Sequence, residues 1–208
     1  MPVVATTGFK PSIVAPITGK VEKTKQGGKF VSVAYGNHGY LCLQTEPLTA
    51  PFGVTVSQQF GNKTLTLSLE DSPALAEKLR ALDDCMVKLL ADNSEEWFGS
   101  KMDRKEVAKF GYTPVVSVNN DGMSVHRTLL RLKIPEYDGK VTCPIWDADQ
   151  QQVAEEDIAK GCRVRAQVVL NCIWFHQGKA KLTWKVKALQ VTDKGDAPST
   201  GPVFAFID

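Results

Sequence analysis

The chain has 208 residues, 43% hydrophobic and 23% charged, ordinary proportions for a globular protein with a sizeable core. Its 25 Lys and Arg against 23 Asp and Glu leave a net charge of +2, too small to mark a polyanion binder, so the placement of the charges carries the information. Five cysteines, at 42, 85, 143, 162 and 172, are odd in number and lack close pairing, which argues against a secreted disulfide framework and for free thiols in a reducing compartment.

Residues 1–12 read as a poorly ordered N-terminal arm. The start is broken by Pro2, Pro11 and Pro16 and lacks a basic segment, unlike a signal peptide, and no apolar run reaches the ~20 residues of a membrane span. The expectation is a soluble, intracellular protein with no membrane partner. Residues 13–21 offer a first strand. Lys20, Lys23, Lys25 and Lys29 then gather around Gly27 and Gly28, ahead of a strand over 30–35. Such a loop brings ammonium groups and free backbone toward a phosphate, or else is only a mobile surface loop.

Residues 40–45 form the next strand. Pro47, Pro51 and Gly53 forbid a regular central strand over 46–54 and leave Phe52 either to stack on a flat ligand or to plug the end of a barrel. Residues 64–69 alternate as a half-buried strand. Ser72 and Pro73 then predict a helix start, and Leu75, Leu79, Leu82, Met86 and Leu90 recur at spacings of three and four, a core stripe. A short charged helix over 103–110 completes a helical insertion spanning 72–110.

Strands resume over 114–118 and 127–134. The second places Arg127, Leu129, Arg131 and Lys133 on one face and Thr128, Leu130, Leu132 and Ile134 on the other. Another strand is expected over 141–146, and a short helix over 153–160 closed by Gly161.

The segment 163–191 is two long alternating strands turning at His176, Gln177 and Gly178. Val164, Ala166 and Val168 point one way, and Arg163, Arg165 and Gln167 the other. On the return strand Ala180, Leu182, Trp184, Val186 and Ala188 share one face, and Lys179, Lys181, Thr183, Lys185 and Lys187 share its opposite. No Asp or Glu occurs between 163 and 192, so the polar face is cationic without internal neutralisation. Trp174 and Phe175 adjoin those cations. A basic sheet face with aromatics suits an extended polyanion whose bases stack, as single-stranded nucleic acid does. A lysine-rich face is also a common way to protect a solvated sheet edge, and Trp184 reads as core.

The tail, 193–208, is a glycine- and proline-containing linker ending in Phe204, Phe206 and Ile207, apolar groups able to dock on the same chain, a second copy or a partner. Catalytic motifs are missing: no Walker loop, dinucleotide fingerprint, Gly-x-Ser-x-Gly elbow or HExxH. Cys162, Cys172 and His176 lack zinc-ligand spacing. No catalytic residue, metal or cofactor is expected, and the protein does not read as an enzyme.

Several segments carry a resemblance: Gly28-Lys29-Phe30; Leu43-Gln44-Thr45 with Ala50-Pro51-Phe52-Gly53; the strand 65–69; Asn93-Ser94 with Trp97-Phe98; Leu132-Lys133-Ile134-Pro135; and Ile173-Trp174-Phe175 with Gly178-Lys179 and Thr183-Trp184-Lys185. In this order they resemble small proteins of large DNA viruses of algae and protists that are similar to phage-type single-stranded DNA-binding proteins. The resemblance implies an OB-fold core with long insertions, non-specific binding of single strands in replication, recombination or repair, and no catalysis. Phage members carry a strongly acidic tail, whereas this tail holds only Asp193, Asp196 and Asp208.

The expectation is therefore a mainly β, α+β chain built on an OB-fold-like antiparallel β-barrel, with one nucleic-acid-binding domain over 13–192. Lys29, Phe52, Arg127, Arg131, Lys133, Arg163, Arg165, Trp174, Phe175, Lys179, Lys181, Lys185 and Lys187 are the candidate DNA contacts. Single-stranded DNA, replication proteins and further copies of the chain are the expected partners, in a host nucleus or cytoplasmic virus factory if the source is viral. The alternative is a structural or assembly protein of a virion or complex, self-associating through its barrel and tail.

Overall fold

The computed structural model describes residues 3–56, 61–120 and 126–194, so Phe204, Phe206 and Ile207 lie outside the described residues. Six strands organise the chain: β1 (Lys29–Tyr35), β2 (Leu41–Gln44), β3 (Lys63–Ser68), β4 (His126–Lys133), β5 (Arg163–His176) and β6 (Lys179–Asp193). Helices α1 (Pro73–Asp92) and α2 (Ser94–Phe98) and a helical run over Arg104–Glu106 and Val107–Gly111 stand between β3 and β4, where the insertion is expected. The fold is mainly β with few helices.

The β5–β6 hairpin is the spine. Its strands pair antiparallel from Arg163 opposite Asp193 to His176 opposite Lys179. The outer edge of β5 takes β1 near the turn, β2 in the middle and the short strand Leu48–Thr49 at the far end. The outer edge of β6 takes Tyr112–Thr113, then β4, then Ile145–Trp146. Beyond β4 lies β3, and beyond that Val54–Val56.

Ladders among the described residues do not close this sheet into the expected barrel. At the seam, Leu48–Thr49 bonds to β5 and not to β3, and side chains take over where a ladder would run. The Thr49 N–H donates to Asp71 Oδ2 at 2.7 Å, and Glu46 Oε2 accepts from Thr6 Oγ1 at 3.0 Å and Ser72 Oγ at 3.2 Å. Ser72 thus precedes α1 as expected, but its hydroxyl serves Glu46 instead of capping the helix.

The helical stripe is core: Leu75, Leu79, Leu82, Met86 and Leu90 are all buried, in one cluster with Leu65, Leu67, Leu132, Val164, Val168 and Trp184. Pro73 opens α1, where its missing N–H is unneeded. Residues 3–10, expected as an arm, are bound into the molecule. Val3–Ala5 runs parallel to β2, Phe9 is buried, and Tyr35 Oη donates to the Gly8 carbonyl. The helix expected over 153–160 is a single 3-10 turn at Glu155–Asp157. No helix among the described residues is long and apolar enough to cross a membrane.

Candidate nucleic-acid interface

Strand alternation delivers two faces to the hairpin, and three register shifts, one of them at its far end where Thr192 is unpaired, decide which residues occupy them. Along the first part of β5, Val164, Ala166, Val168 and Leu170 are buried while Arg163, Arg165, Gln167 and Val169 face outward. A register break between Leu170 and Ile173 then shifts the phase by one residue, so that Ile173 is buried and Trp174 faces out. On β6, Ala180, Leu182, Trp184 and Val186 point inward as expected. Ala188 does not, because Lys187 is unpaired in a second bulge; Ala188 sits opposite Gln167, and Leu189 and Val191 are the buried residues beyond it.

The outer face therefore carries rows of side chains across several strands. One row runs Thr64, Lys133, Lys185, Val169. Another, near the turn, runs Glu22, Phe30, Trp174, Lys181, Thr113. With ~3.3 Å per strand residue, the face extends about 30 Å from Arg165 to Trp174.

Lys29, Arg131, Lys133, Arg163, Lys179, Lys181, Lys185 and Lys187 are exposed. Two arginines are partly engaged: Arg163 donates to the Pro47 carbonyl at 2.9 Å, and Arg165 to Gln190 Oε1 at 3.0 Å. Ion pairs among the described residues join Lys63 to Glu155 and Lys194 to Asp157, away from the central lysines. Carboxylates reach this face at its two ends: Glu22 accepts from Ser32 Oγ at 2.8 Å near the turn, and Asp193 stands opposite Arg163 at the far end. Arg127 belongs to β4, but its side chain falls outside the described residues.

The aromatics divide. Trp174 is half-buried against Phe30, with ring centroids 5.4 Å apart and planes at 39°. It also lies over Gly28, where an added Cβ would come within 3.0 Å of Cζ3. Phe175, expected beside Trp174, projects from the opposite side of the strand. It meets Trp97 and Phe98 edge-on at 6.0 and 5.6 Å. These rings line an open cleft of about 480 Å³ together with Gly27, Lys29 and His176, so Phe175 borders open space without joining the Trp174 surface.

Phe52 is 42% exposed, which rules out a buried plug. Its turn is clamped to the far end of β5, where the Ala50 N–H donates to the Cys162 carbonyl and the Gly161 N–H to that of Ala50. Gly53, at φ 64°, admits no side chain because a Cβ would lie 2.7 Å from the Ile158 carbonyl. The structure thus brings together Trp174, Lys179 and Lys181 at one end and Arg131, Lys133, Lys185 and Lys187 in the middle, whereas Lys29, opposite Phe175, lies on the cleft side of the sheet. Phe52 and Arg163 stand at the other end.

Phe30 and Trp146 are candidates that the sequence reading does not single out. For Phe30 the signal is present: Val31, Val33 and Tyr35 form the buried set, which puts Phe30 on the outer face. Trp184 is buried as expected, though its Nε1 has no acceptor among the described residues. All five cysteines are free, and burial pushes Cys162 and Cys172 up to about 11, the reverse of what a nucleophile needs. Among the described residues no three His, Cys, Asp or Glu groups converge as metal ligands.

A model for a family described as "Family of unknown function (DUF5871)" matches residues 53–208. The chain belongs to that family. No curated protein matches the sequence. Among solved structures, gp2.5, a single-stranded DNA-binding protein encoded by bacteriophage T7, is similar with a TM-score of 0.49 at 10% identity, over 79% of this chain and 92% of its own. The single-stranded DNA-binding protein of bacteriophage Enc34 gives 0.39 at 10% identity, over 91% and 95%. The same protein in complex with ssDNA gives 0.39 at 9% identity, over 88% and 98%. At these scores no residue role transfers from those proteins.

Proposed function

We propose that this chain binds single-stranded DNA without sequence preference, through the outer face of β5 and β6 and the strands beside them. The observation that supports this is the in-register row of Phe30, Trp174 and Lys181, continued by Lys185 and Lys133 with no carboxylate paired to them among the described residues. Ammonium groups are mobile point charges that follow a phosphate chain without reading bases, and the face of an indole ring accepts any base. In this reading Lys29, Arg127, Arg131, Lys133, Arg163, Arg165, Lys179, Lys181, Lys185 and Lys187 contact phosphates, Trp174 stacks with Phe30 behind it, and Phe175 and Phe52 are secondary contacts. The sheet is then an OB-like arrangement left open at the Asp71 seam.

The same proposal places the protein in replication, recombination or repair, as a binder and not a catalyst, in a reducing compartment. A viral source belongs to the same reading. Replication proteins and further copies of the chain are its proposed partners, through Phe204, Phe206 and Ile207. Deleting residues 200–208 then lowers oligomer mass or partner recruitment while keeping DNA affinity.

The deciding experiment is a titration of labelled single- and double-stranded oligonucleotides at two salt concentrations. Single strands are expected to bind more tightly, with log affinity falling linearly in log salt by about 0.7 per phosphate contact. Binding of neither form, at either salt, overturns the proposal and favours an assembly role.

A further inference from the structure

A second concavity, of about 430 Å³, lies on the outer face some nine residues along β5 from Trp174. Trp146 forms one wall, 38% exposed, on the short strand paired to the end of β6. Gln44, Gln167 and Gln190 come from β2, β5 and β6, Arg165 stands beside them, and Gln150 closes the rim. Gln150 is held at φ 61°, a conformation uncommon outside glycine, asparagine and aspartate, in the turn that the Gln151 N–H closes on Asp147 Oδ1 at 2.8 Å.

The hydrogen bonds within the pocket leave specific groups unspent. Gln167 Nε2 donates to Gln44 Oε1 at 3.0 Å, which leaves the Gln44 amide donors and the Gln167 amide oxygen unengaged among the described residues. Arg165 donates to Gln190 Oε1 at 3.0 Å, and Gln190 Nε2 in turn to the Asp147 carbonyl at 3.4 Å, which tethers one nitrogen of the guanidinium and leaves further N–H groups of Arg165 over among the described residues. A flat ligand whose edge carries both donors and acceptors meets all of these groups, and a ring face beside it. That describes a nucleobase.

The geometry points to this pocket as a nucleobase subsite, in which one unstacked base lies against Trp146 and pairs its edge with the Gln44–Gln167 amides while Arg165 approaches the adjoining phosphate. The inference rests on the proposed DNA binding and adds to it a second aromatic anchor about 30 Å from the first. A strand running from Trp174 past Lys181, Lys185 and Lys187 reaches the pocket without leaving the outer face.

The test uses the full chain and a fluorescein-labelled oligodeoxythymidine of about 16 nucleotides, the upper end of what one such domain covers. Trp146→Ala is expected to weaken binding about 5- to 150-fold, Trp146→Phe to keep most of the affinity, and both to melt with wild type. In a Trp174→Phe background, saturating oligonucleotide is expected to quench the remaining exposed tryptophan, since Trp97 and Trp184 are buried. Wild-type affinity in Trp146→Ala, no quenching, or equal losses in the Ala and Phe variants each overturn the subsite. If Lys181→Ala/Lys185→Ala is nonetheless weakened, the DNA-binding proposal survives that failure. A wild-type chain that leaves the oligonucleotide free overturns both.

Discussion

Phe30 and Trp174 stand directly opposite one another on adjacent antiparallel strands, their ring planes inclined by 39°. The tilt leaves one indole face partly open while Phe30 and Gly28 hold the other side. Trp174 is therefore a positioned surface, and its orientation depends on the glycine loop.

Trp174→Ala is expected to weaken single-strand binding by about 1–3 kcal/mol. It also loses the contact with Phe30, about 0.5–1.5 kcal/mol of stability. Gly28→Ala keeps an ordinary backbone but forces the ring aside, so it lowers affinity by less than Trp174→Ala and shifts the tryptophan emission. Fluorescence titration and thermal melts on the two variants check both statements.

Replacing Lys181 and Lys185 together by Ala is expected to reduce the slope of log affinity against log salt by about 1.4, at about 0.7 per phosphate contact. Stability changes by no more than about 0.5 kcal/mol per site, because both side chains are exposed. A slope equal to that of wild type would remove these two lysines from the interface.

Trp184→Ala is expected to cost about 3–5 kcal/mol, as truncation of a buried aromatic does. Trp184→Phe costs less, since most of the ring volume is kept and the indole N–H without an acceptor among the described residues is removed. Urea denaturation of the two variants separates packing from the polar term.

Asp83 ties α1 to the segment that follows the helices. It is buried and accepts from Tyr112 Oη at 2.6 Å, the Val115 N–H at 2.9 Å and the Val116 N–H at 3.3 Å. Burial raises its carboxyl above the ordinary 3.8, and the three hydrogen bonds oppose that rise. A raised folded-state carboxyl contributes stability that is fully present below the unfolded value and lost as pH climbs through the folded one. Wild type should therefore gain on Asp83→Asn as the solution is acidified toward 3.8, and hold a constant difference above the transition. Urea midpoints of the pair across that range give the answer; a difference independent of pH counts against it.

Much of this fold can be read locally. The stripe from Leu75 to Leu90 and the alternation of 163–170 and 179–186 are periodic signals, and burial follows them. What cannot be read depends on pairing partners distant in sequence. Nothing local announces that Leu48–Thr49 stops short of β3, or that Lys187 drops out of the ladder. Phe175 shows a different limit: adjacency to Trp174 in sequence suggests a shared surface, yet neighbouring side chains leave a strand on opposite faces. The Trp146 pocket is assembled from residues 44, 146, 150, 165, 167 and 190, and no single stretch displays it.

The bulges at Asn171 and Lys187 limit where the hairpin can gain or lose a residue. Outward positions are odd before residue 171 on β5 and even after it, and they change in the same way across residue 187 on β6. Removing one residue at either bulge alters the bulge and leaves the flanking ladders in phase with their own neighbours. Removing one a few positions away turns Trp174 or Lys185 toward the core and brings a hydrophobic side chain to the surface. Single-residue insertions and deletions in family members that keep the basic, aromatic face are therefore expected to cluster at these two points and at the unpaired Thr192, and length changes elsewhere in the hairpin to accompany its loss.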